Sequence, residues 1–331
     1  MRQFDFEEER VKQEIAKSKA KNVLIQLPEG LKSEGLRLAK IIEKAGALPI
    51  VSADPCYGAC DLASAEAESL GVDLMIHYGH TKLLGHHLVP TIYVEARAVG
   101  KVDSAVEKAL PLLKKWTRIG LVTTVQHVQT LDNVKEILLR SGKTVAVGDA
   151  GNVTYPGQIV GCDYSNAKSV ADTVEAFLFV GGGRFHAIGV TLATSKPTIV
   201  AEPYEDTAFS IEDEARKTLR RRWACIEEAR RAKAFAIVVG LKLGQKRLER
   251  ALEIKEKLDS VGKTACLISV RNVTPEVLMN FGAFDCFINT ACPRLSLDDS
   301  QSFCKPLLSA DELLVALGEL SWGDFMNKYI L

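Results

Sequence analysis

The stretch NVLIQLPEGLKSEGLRLAKIIEKAGALPIVSA, residues 22–53, places an apolar strand, a loop, an amphipathic helix and a second strand in succession. Gly46 follows the last periodic residue of the helix, where glycine adopts the left-handed conformation at no steric cost and ends the helix. A strand, a helix and a strand in this order predict a β-α-β unit, whose right-handed crossover keeps the two strands parallel. Residues 22–53 therefore predict an α/β fold built on a parallel sheet.

The same plan recurs twice along the chain. The matching strand pairs are RIGLVTTV and KTVAVGD at residues 118–125 and 143–149, and AFAIVVG and KTACLISV at residues 234–240 and 263–270. Gly142 and Gly262 stand where Gly46 stands in the first copy. The offset from Gly46 to Gly142 equals the offset from Val23 to Ile119. Equal offsets favour a true repeat over the alternation that any α/β protein shows.

Three homologous α/β domains are therefore predicted, at residues 1–101, 102–207 and 208–331. A period near ~100 residues is typical of a duplicated domain and not of a solenoid. Each domain is expected to hold a parallel sheet flanked by helices. The charged helical stretches that open the domains are Phe4–Ala20, Val102–Trp116 and Ile211–Ala232.

The composition is that of an ordinary globular chain. Its 331 residues are 47% hydrophobic and 25% charged, which excludes a disordered scaffold. The 42 basic and 42 acidic side chains balance, so we expect no direct nucleic-acid partner, because such binding needs an excess of Lys and Arg. No apolar run reaches the ~20 residues that span a bilayer, and the first residues, MRQFDFEEER, lack the apolar core of a signal peptide. We therefore expect a cytoplasmic protein without a membrane partner.

The cysteines of the chain need an interpretation. They are Cys56, Cys60, Cys162, Cys225, Cys266, Cys286, Cys292 and Cys304. In a reducing compartment such residues are buried apolar groups, reactive thiols or metal ligands. No CxxC pair occurs, which argues against a zinc ribbon, a thioredoxin-type site and a ferredoxin-type cluster loop. Cys266 and Cys286 lie in apolar strands and are expected in the core. Cys304 could be either a structural or a functional residue.

Three of these cysteines follow predicted strands. Cys60 and Cys162 come after the second strand of their repeats, and Cys292 follows one strand later. Ligands of open parallel sheets gather at the carboxyl ends of strands, so one thiolate from each domain could reach a common junction. Three cysteine ligands would hold an iron–sulfur cluster and leave one iron open for a substrate. Spacing alone leaves two alternatives open, namely unrelated loop cysteines or a CxxxC pair of Cys56 with Cys60.

Eight segments, in order along nearly the whole chain, resemble signature segments of one family. The family is the iron–sulfur 3-amino-3-carboxypropyltransferase of diphthamide biosynthesis. The segments are LPEGL at 27–31, PCYGACD at 55–61, HYGH at 77–80, VQHVQTL at 125–131, PGQIVGCD at 156–163, GGRFH at 182–186, ACPRLSL at 291–297 and KPLL at 305–308.

The resemblance implies three α/β domains in a pseudo-threefold arrangement around a central 4Fe–4S cluster. Its ligands would be Cys60, Cys162 and Cys292, and not Cys56. A single chain with all three cysteines resembles the archaeal form, which works as a homodimer. The implied reaction moves a 3-amino-3-carboxypropyl group, as a radical, from S-adenosylmethionine to the imidazole C2 of a histidine on translation elongation factor 2. An electron donor must then supply the cluster.

The resemblance and the strand ends together suggest contacts for S-adenosylmethionine. The candidates are Glu29, Gly30, His80, Gln126, Gly183, Arg184, His186 and Arg294. The arginines suit its carboxylate, the glycines allow a close backbone approach, and the histidines could bind it or hold the target imidazole. The alternatives are structural histidines, helix caps for the polar residues and an ordinary glycine turn.

Two other features are interpreted as structural. His77, His86 and His87 crowd one region, but adjacent histidines without a helically spaced carboxylate do not predict a zinc site. The run Arg220–Arg222 is expected on the solvated face of a helix, with an acidic patch of a partner as the alternative.

Two competing functions remain open from the residues. One is a three-domain cluster enzyme of the quinolinate synthase kind, which uses its open iron as a Lewis acid without S-adenosylmethionine. The other is a non-catalytic, cluster-bearing protein associated with translation. Site chemistry, and not the fold, distinguishes these two functions from the transferase.

Overall fold

Three parallel sheets form the frame of the protein in a computed structural model that describes residues 3–83, 85, 88–297 and 302–328. The first repeat holds β1 Phe4–Asp5, β2 Asn22–Gln26, β3 Leu48–Val51, β4 Leu74–Tyr78, β5 Thr91–Val94 and β6 Arg97–Ala98. The second holds β7 Arg118–Thr123, β8 Thr144–Ala146, β9 Ala176–Val180, β10 Thr198–Glu202 and β11 Thr207–Ser210. The third holds β12 Ala234–Gly240, β13 Thr264–Val270, β14 Cys286–Asn289 and β15 Leu307–Ser309.

The helices flank these sheets. They are α1 Glu8–Ser18, α2 Gly35–Lys44, α3 Ser64–Ser69, α4 Asp103–Ala109, α5 Leu131–Arg140, α6 Ser165–Val170, α7 Arg184–Thr194, α8 Glu212–Ala229, α9 Leu248–Ser260, α10 Pro275–Met279, α11 Pro293–Leu297, α12 Ala310–Ala316 and α13 Trp322–Lys328. Short 3₁₀ helices occupy Glu29–Glu34, Val125–Thr130, Ala171–Thr173 and Leu243–Gln245.

The three sheets share one strand order. It is β3-β2-β4-β5 in the first, β8-β7-β9-β10 in the second and β13-β12-β14-β15 in the third, and these neighbours pair in parallel. Apolar clusters cover both faces of each sheet, as expected for buried parallel strands. The predicted α/β class, with parallel sheets flanked by helices, is confirmed.

The crossover helices end where the sequence predicts. Gly46, Gly142 and Gly262 follow α2, α5 and α9 with φ of 87°, 79° and 72°, so each takes the left-handed conformation. The predicted helix Val102–Trp116 is shorter than expected. α4 ends at Ala109, because Pro111 has no N–H with which to continue the helical hydrogen bonds.

The second sheet extends past the predicted boundary at residue 207. Its fifth strand, β11, runs to Ser210 and pairs antiparallel with β10. A boundary at 207 would cut this strand. The division into domains 1–101, 102–207 and 208–331 stays a prediction, and we expect its second boundary to lie after Ser210.

A buried ion pair joins α8 to α12 in the third repeat. Arg222 Nε lies 2.7 Å from Glu312 Oε1 and Arg222 Nη2 lies 2.6 Å from Oε2, with side chains 1% and 3% exposed. Arg222 also donates to the Leu307 carbonyl at 2.7 Å. The expectation that Arg220–Arg222 lies wholly on a solvated face is therefore wrong for Arg222. This residue falls on the buried stripe of α8, at helical spacing from Thr218 and Ile226.

Candidate metal centre

Cys60, Cys162 and Cys292 share one site. Cys60 follows β3, Cys162 follows β8, and Cys292 lies between β14 and α11. Desolvation, and then the negative charges of Cys60 and Cys292, raises the pKa of Cys162 to about 11, although part of this residue remains exposed to solvent. Because charges act on one another strongly only at short range, the three thiols are close neighbours.

The electrostatics of this site favour a cation. Burial, and then the charge of Cys60 among other groups, also raises the pKa of Cys292. Three thiols that repel one another as thiolates stay protonated on their own, whereas a bound metal deprotonates a coordinating thiol. The donor set, three soft sulfurs from three loops, is one that iron–sulfur clusters use.

The third repeat holds Cys60 in place. The Gly244 N–H donates to the Cys60 carbonyl at 2.9 Å, and Gln245 Nε2 lies 3.4 Å from Cys60 Sγ. Lys242 Nζ lies 2.6 Å from Asp61 Oδ2, and both side chains are buried. Residues 242–245, which follow β12 in the third sheet, therefore fix the position of a cysteine in the first repeat.

Alanine at Gly244 tests this contact. A Cβ there would lie 2.5 Å from Cys60 Cβ and 2.6 Å from Cys60 Cα, so the backbone of one loop must shift. We expect Gly244→Ala to lower the bound iron per chain by about tenfold or more, because ligand position controls metal affinity. Gly282→Ala is the matched control, since nothing lies within 4 Å of its Cβ. Equal iron content in the two variants would contradict the prediction.

A chain of hydrogen bonds beside this site fixes two histidine tautomers. Gln26 Nε2 donates to the Asp61 carbonyl at 2.7 Å and its Oε1 accepts from the Ala63 N–H at 3.2 Å, which sets the orientation of the amide. His77 Nδ1 lies 2.8 Å from that Oε1, so Nδ1 carries the proton. His77 Nε2, 3.0 Å from His80 Nδ1, must then accept from His80. Burial, and then His80, lowers the pKa of His77 well below its usual range.

One predicted cofactor residue from each repeat lies in the same region. Burial, and then the charges of Arg294 and His80, lowers the pKa of His186 to about 4. Burial lowers the pKa of His80 to about 4 as well. The Arg294 guanidinium lies 4.6 Å from the centre of the Phe185 ring, and His186 stacks on Phe179. His80, His186 and Arg294 are thus brought together, with both rings neutral at neutral pH.

The other predicted cofactor residues are engaged in structural contacts. Gln126 Nε2 donates to the Gly79 carbonyl at 2.8 Å, which ties the second repeat to the first. Arg184 pairs with Glu214 and lies 4.7 Å from the centre of the Phe209 ring.

The remaining three candidates lie at the beginnings of helices. Glu29 pairs with Lys32 at 2.9 Å, and Gly30 lines a cavity of about 460 Å³ with Phe4 and Phe6. Gly183, with φ of 84°, donates to Glu202 Oε2 at 3.2 Å. Their role toward a cofactor, like that of Gln126 and Arg184, stays a prediction.

A second group of possible metal ligands lies close by. The ligand atoms of Cys56, His77 and His80 lie within 4.8 Å of one another. Burial, and then Asp61, raises the pKa of Cys56 to about 12, and the two rings already satisfy each other by a hydrogen bond. Gln26 and His80 already occupy both ring nitrogens of His77, so this histidine has no free nitrogen for a metal. His86 and His87 lie outside the described residues.

The cysteines expected in the core differ in their surroundings. Cys286 is fully buried in β14, as predicted. Cys266 is exposed, because β13 is an edge strand of its sheet, so its predicted core position is wrong. Cys225 is partly buried and Cys304 is exposed.

Both the sequence and the fold are similar to those of known proteins. A family model described as diphthamide synthesis protein matches residues 27–327. The chain belongs to this family. The 2-(3-amino-3-carboxypropyl)histidine synthase of Pyrococcus horikoshii is 39% identical over 92% of the chain and 88% of that protein. Subunit 1 of the Schizosaccharomyces pombe synthase is 31% identical over 97% of the chain and 75% of that protein.

Solved structures of the diphthamide synthesis family agree with this fold. The crystal structure of Dph2 from Pyrococcus horikoshii with a 4Fe–4S cluster matches with a TM-score of 0.89 and 35% identity, covering 97% of this chain and 93% of that one. Among the described residues, no helix is long and apolar enough to cross a membrane.

Sequence reasoning missed the residues that surround Cys60. Gln245 lies in the 3₁₀ helix after β12, at the position of His127 after β7 and of Leu31 after β2. The three repeats carry unlike side chains at this position, so aligning them gives no common signal for Gln245. Lys242 and Gln26 gave no signal, because single polar residues at strand ends are common.

The histidines predict a loss of stability in mild acid. Burial lowers the pKa of His127 to about 4 from its ordinary 6.5, so the unfolded chain binds the proton first as the pH falls through that window. From about pH 7 to about pH 5, His127 alone is expected to lower the free energy of unfolding by about 1–2 kcal/mol. His127→Gln should reduce the shift of the urea midpoint between these two pH values. An unchanged shift would contradict this assignment.

Proposed function

We propose that the protein is a 2-(3-amino-3-carboxypropyl)histidine synthase, a transferase that catalyses the first step of diphthamide biosynthesis. The observation that carries the proposal is the mutual electrostatic influence of the Cys60, Cys162 and Cys292 thiols, one from each repeat. The family match and the names of the relatives support the same activity.

Cys60, Cys162 and Cys292 would hold a 4Fe–4S cluster. The fit rests on three neighbouring sulfurs and on donors that face them, namely Gln245 Nε2 toward Cys60 and the Arg294 N–H toward Cys292. When bound, the cluster supplies the electron for cleavage of the sulfonium. Three protein ligands fit a cluster with one iron open to the co-substrate.

The reaction that we infer takes the 3-amino-3-carboxypropyl group from S-adenosylmethionine. The bond from sulfur to the methionine γ-carbon breaks and methylthioadenosine leaves. A carbon–carbon bond then forms between the released radical and the imidazole C2 of a histidine on elongation factor 2. The adduct loses the C2 hydrogen as a proton together with one electron, which would return to the oxidised cluster, so the whole transfer consumes no electron.

The chain's own residues would bind and orient the reactants. The Arg294 guanidinium suits the carboxylate of the transferred group, because a planar fork of donors matches carboxylate geometry. His80 and His186 are neutral, so they can accept hydrogen bonds from the amino group or from the target imidazole. The remaining candidates, Glu29, Gly30, Gln126, Gly183 and Arg184, are proposed as outer contacts.

Several partners follow from this activity. The protein substrate is elongation factor 2, and a separate electron donor must reduce the cluster. We also propose a homodimer and a cytoplasmic location, as the resemblance to the archaeal form implies. An isologous twofold contact is the default for such a dimer.

The test is an anaerobic assay of the reconstituted protein with S-adenosylmethionine, dithionite and elongation factor 2. Methylthioadenosine should form, and mass spectrometry should show the added 3-amino-3-carboxypropyl group on one histidine of the factor. A factor with that histidine replaced is the control. Release of 5′-deoxyadenosine, or no cleavage, would contradict the proposal, and dehydration chemistry without S-adenosylmethionine would favour the quinolinate synthase kind.

A further inference from the structure

A single side-chain amide from the third repeat points at the Cys60 sulfur. Gln245 Nε2 lies 3.4 Å from Cys60 Sγ, and the Gly244 N–H fixes the same residue through its carbonyl. Gln245 is only 8% exposed. A buried amide held this close to sulfur has a fixed position and does not exchange readily with water.

The contact is particular to the third repeat. The 3₁₀ helices after β2, β7 and β12 begin alike, so Leu31, His127 and Gln245 occupy one position and donate their N–H groups to the carbonyls of Pro28, Thr124 and Lys242. Leu31 is apolar, and His127 Nε2 lies 3.1 Å from the Tyr204 hydroxyl. Gln245 alone among these three residues reaches a cysteine of the proposed cluster.

The charged groups that face Cys60 compensate one another. Lys242 Nζ contacts Asp61 Oδ2 at 2.6 Å and lies 4.3 Å from the centre of the Tyr57 ring. With the ion pair balanced, the amide dipole is the main polar influence of residues 242–245 on this sulfur.

We propose that Gln245 is a positioning residue that raises the reduction potential of the cluster through its hydrogen bond to the Cys60 sulfur. The inference rests on the proposed function, because it requires a cluster on Cys60. Reduction adds negative charge, part of which spreads onto the cysteine sulfurs. A donor aimed at one of these sulfurs stabilises the reduced form. The electron that cleaves the sulfonium is then available at a potential that the third repeat sets.

The experiment is a redox titration of the reconstituted protein, followed by electron paramagnetic resonance. Gln245→Leu and Gln245→Met remove the donor at similar volume, and both should shift the midpoint to a more negative potential. Gln129→Leu is the control, since its amide donates to the Ala98 carbonyl and should leave the midpoint unchanged. The midpoint reports only on loaded protein, so partial loss of iron does not obscure it.

Each outcome of the titration either supports or contradicts the proposal. A more negative midpoint in both variants supports the proposal. An unchanged midpoint with iron retained overturns it and leaves the proposed function intact. Failure of both variants to load iron also overturns it, because Gln245 would then hold Cys60 and not tune the cluster. Absence of a cluster signal from the parent protein would instead contradict the proposed function.

Discussion

Alanine in place of Cys60, Cys162 or Cys292 is expected to remove both the bound iron and the transferase activity. Each sulfur comes from a different repeat, and the charges of the three thiols affect one another's pKa. No other thiol of the triad can therefore take the place of a lost one. Methylthioadenosine formation should fall below about 1% of the parent rate, because metal binding and activity depend on every ligand. Iron and sulfide analysis, with the visible absorption, measures the loss directly.

Two other cysteines provide matched controls for this experiment. Cys266→Ser changes an exposed thiol on β13, and Cys286→Ala changes a buried one in β14. Both variants should keep iron and activity, and Cys286→Ala should lose only stability, by about 1–2 kcal/mol. Should Cys56→Ala lose iron while Cys60→Ala keeps it, the ligand assignment would be wrong.

Glutamine in place of Glu312 is expected to destabilise the third repeat strongly. The change leaves the Arg222 guanidinium buried without a compensating charge, although the two side chains keep nearly the same shape. Breaking a buried pair by removing one partner costs about 3–5 kcal/mol. The midpoint of the urea transition, measured by circular dichroism, should fall accordingly.

An exposed ion pair on the same helix is the control. Arg216 and Asp213 are 62% and 77% exposed, so Asp213→Asn should cost less than about 1 kcal/mol. The double change Arg222→Met with Glu312→Leu should restore most of the stability, since neither charge remains buried. If Glu312→Gln and Asp213→Asn shift the midpoint equally, burial does not strengthen the Arg222 pair.

Local sequence patterns predicted most of the fold. Apolar runs such as those of β4 and β9 are buried throughout, and glycine ends the crossover helices, because both properties depend on a few neighbouring residues. Cys266 was misplaced because an apolar run does not tell an edge strand from a central one. That distinction depends on the strand order, which only the assembled sheet decides.

The candidate site was predictable only in part. The three cysteines could be selected because strand ends and the family resemblance converge on them. The roles of Lys242 and Gln245 could not be predicted, since their partners, Asp61 and Cys60, lie far away in the sequence. The charge of Arg222 predicts exposure, whereas its helical spacing from Thr218 and Ile226 places it on the buried stripe of α8.

The partnership of Cys60 with Gln245 also constrains biogenesis. The two residues are 185 positions apart, so a ribosome working at ~5–20 residues per second exposes Cys60 for about 10–40 s before Gln245 is made. During that interval the first repeat can fold, yet its thiol has no amide beside it. Iron delivered to the nascent chain would meet an incomplete binding site. Cluster insertion should therefore be post-translational, after the third repeat has folded against the first.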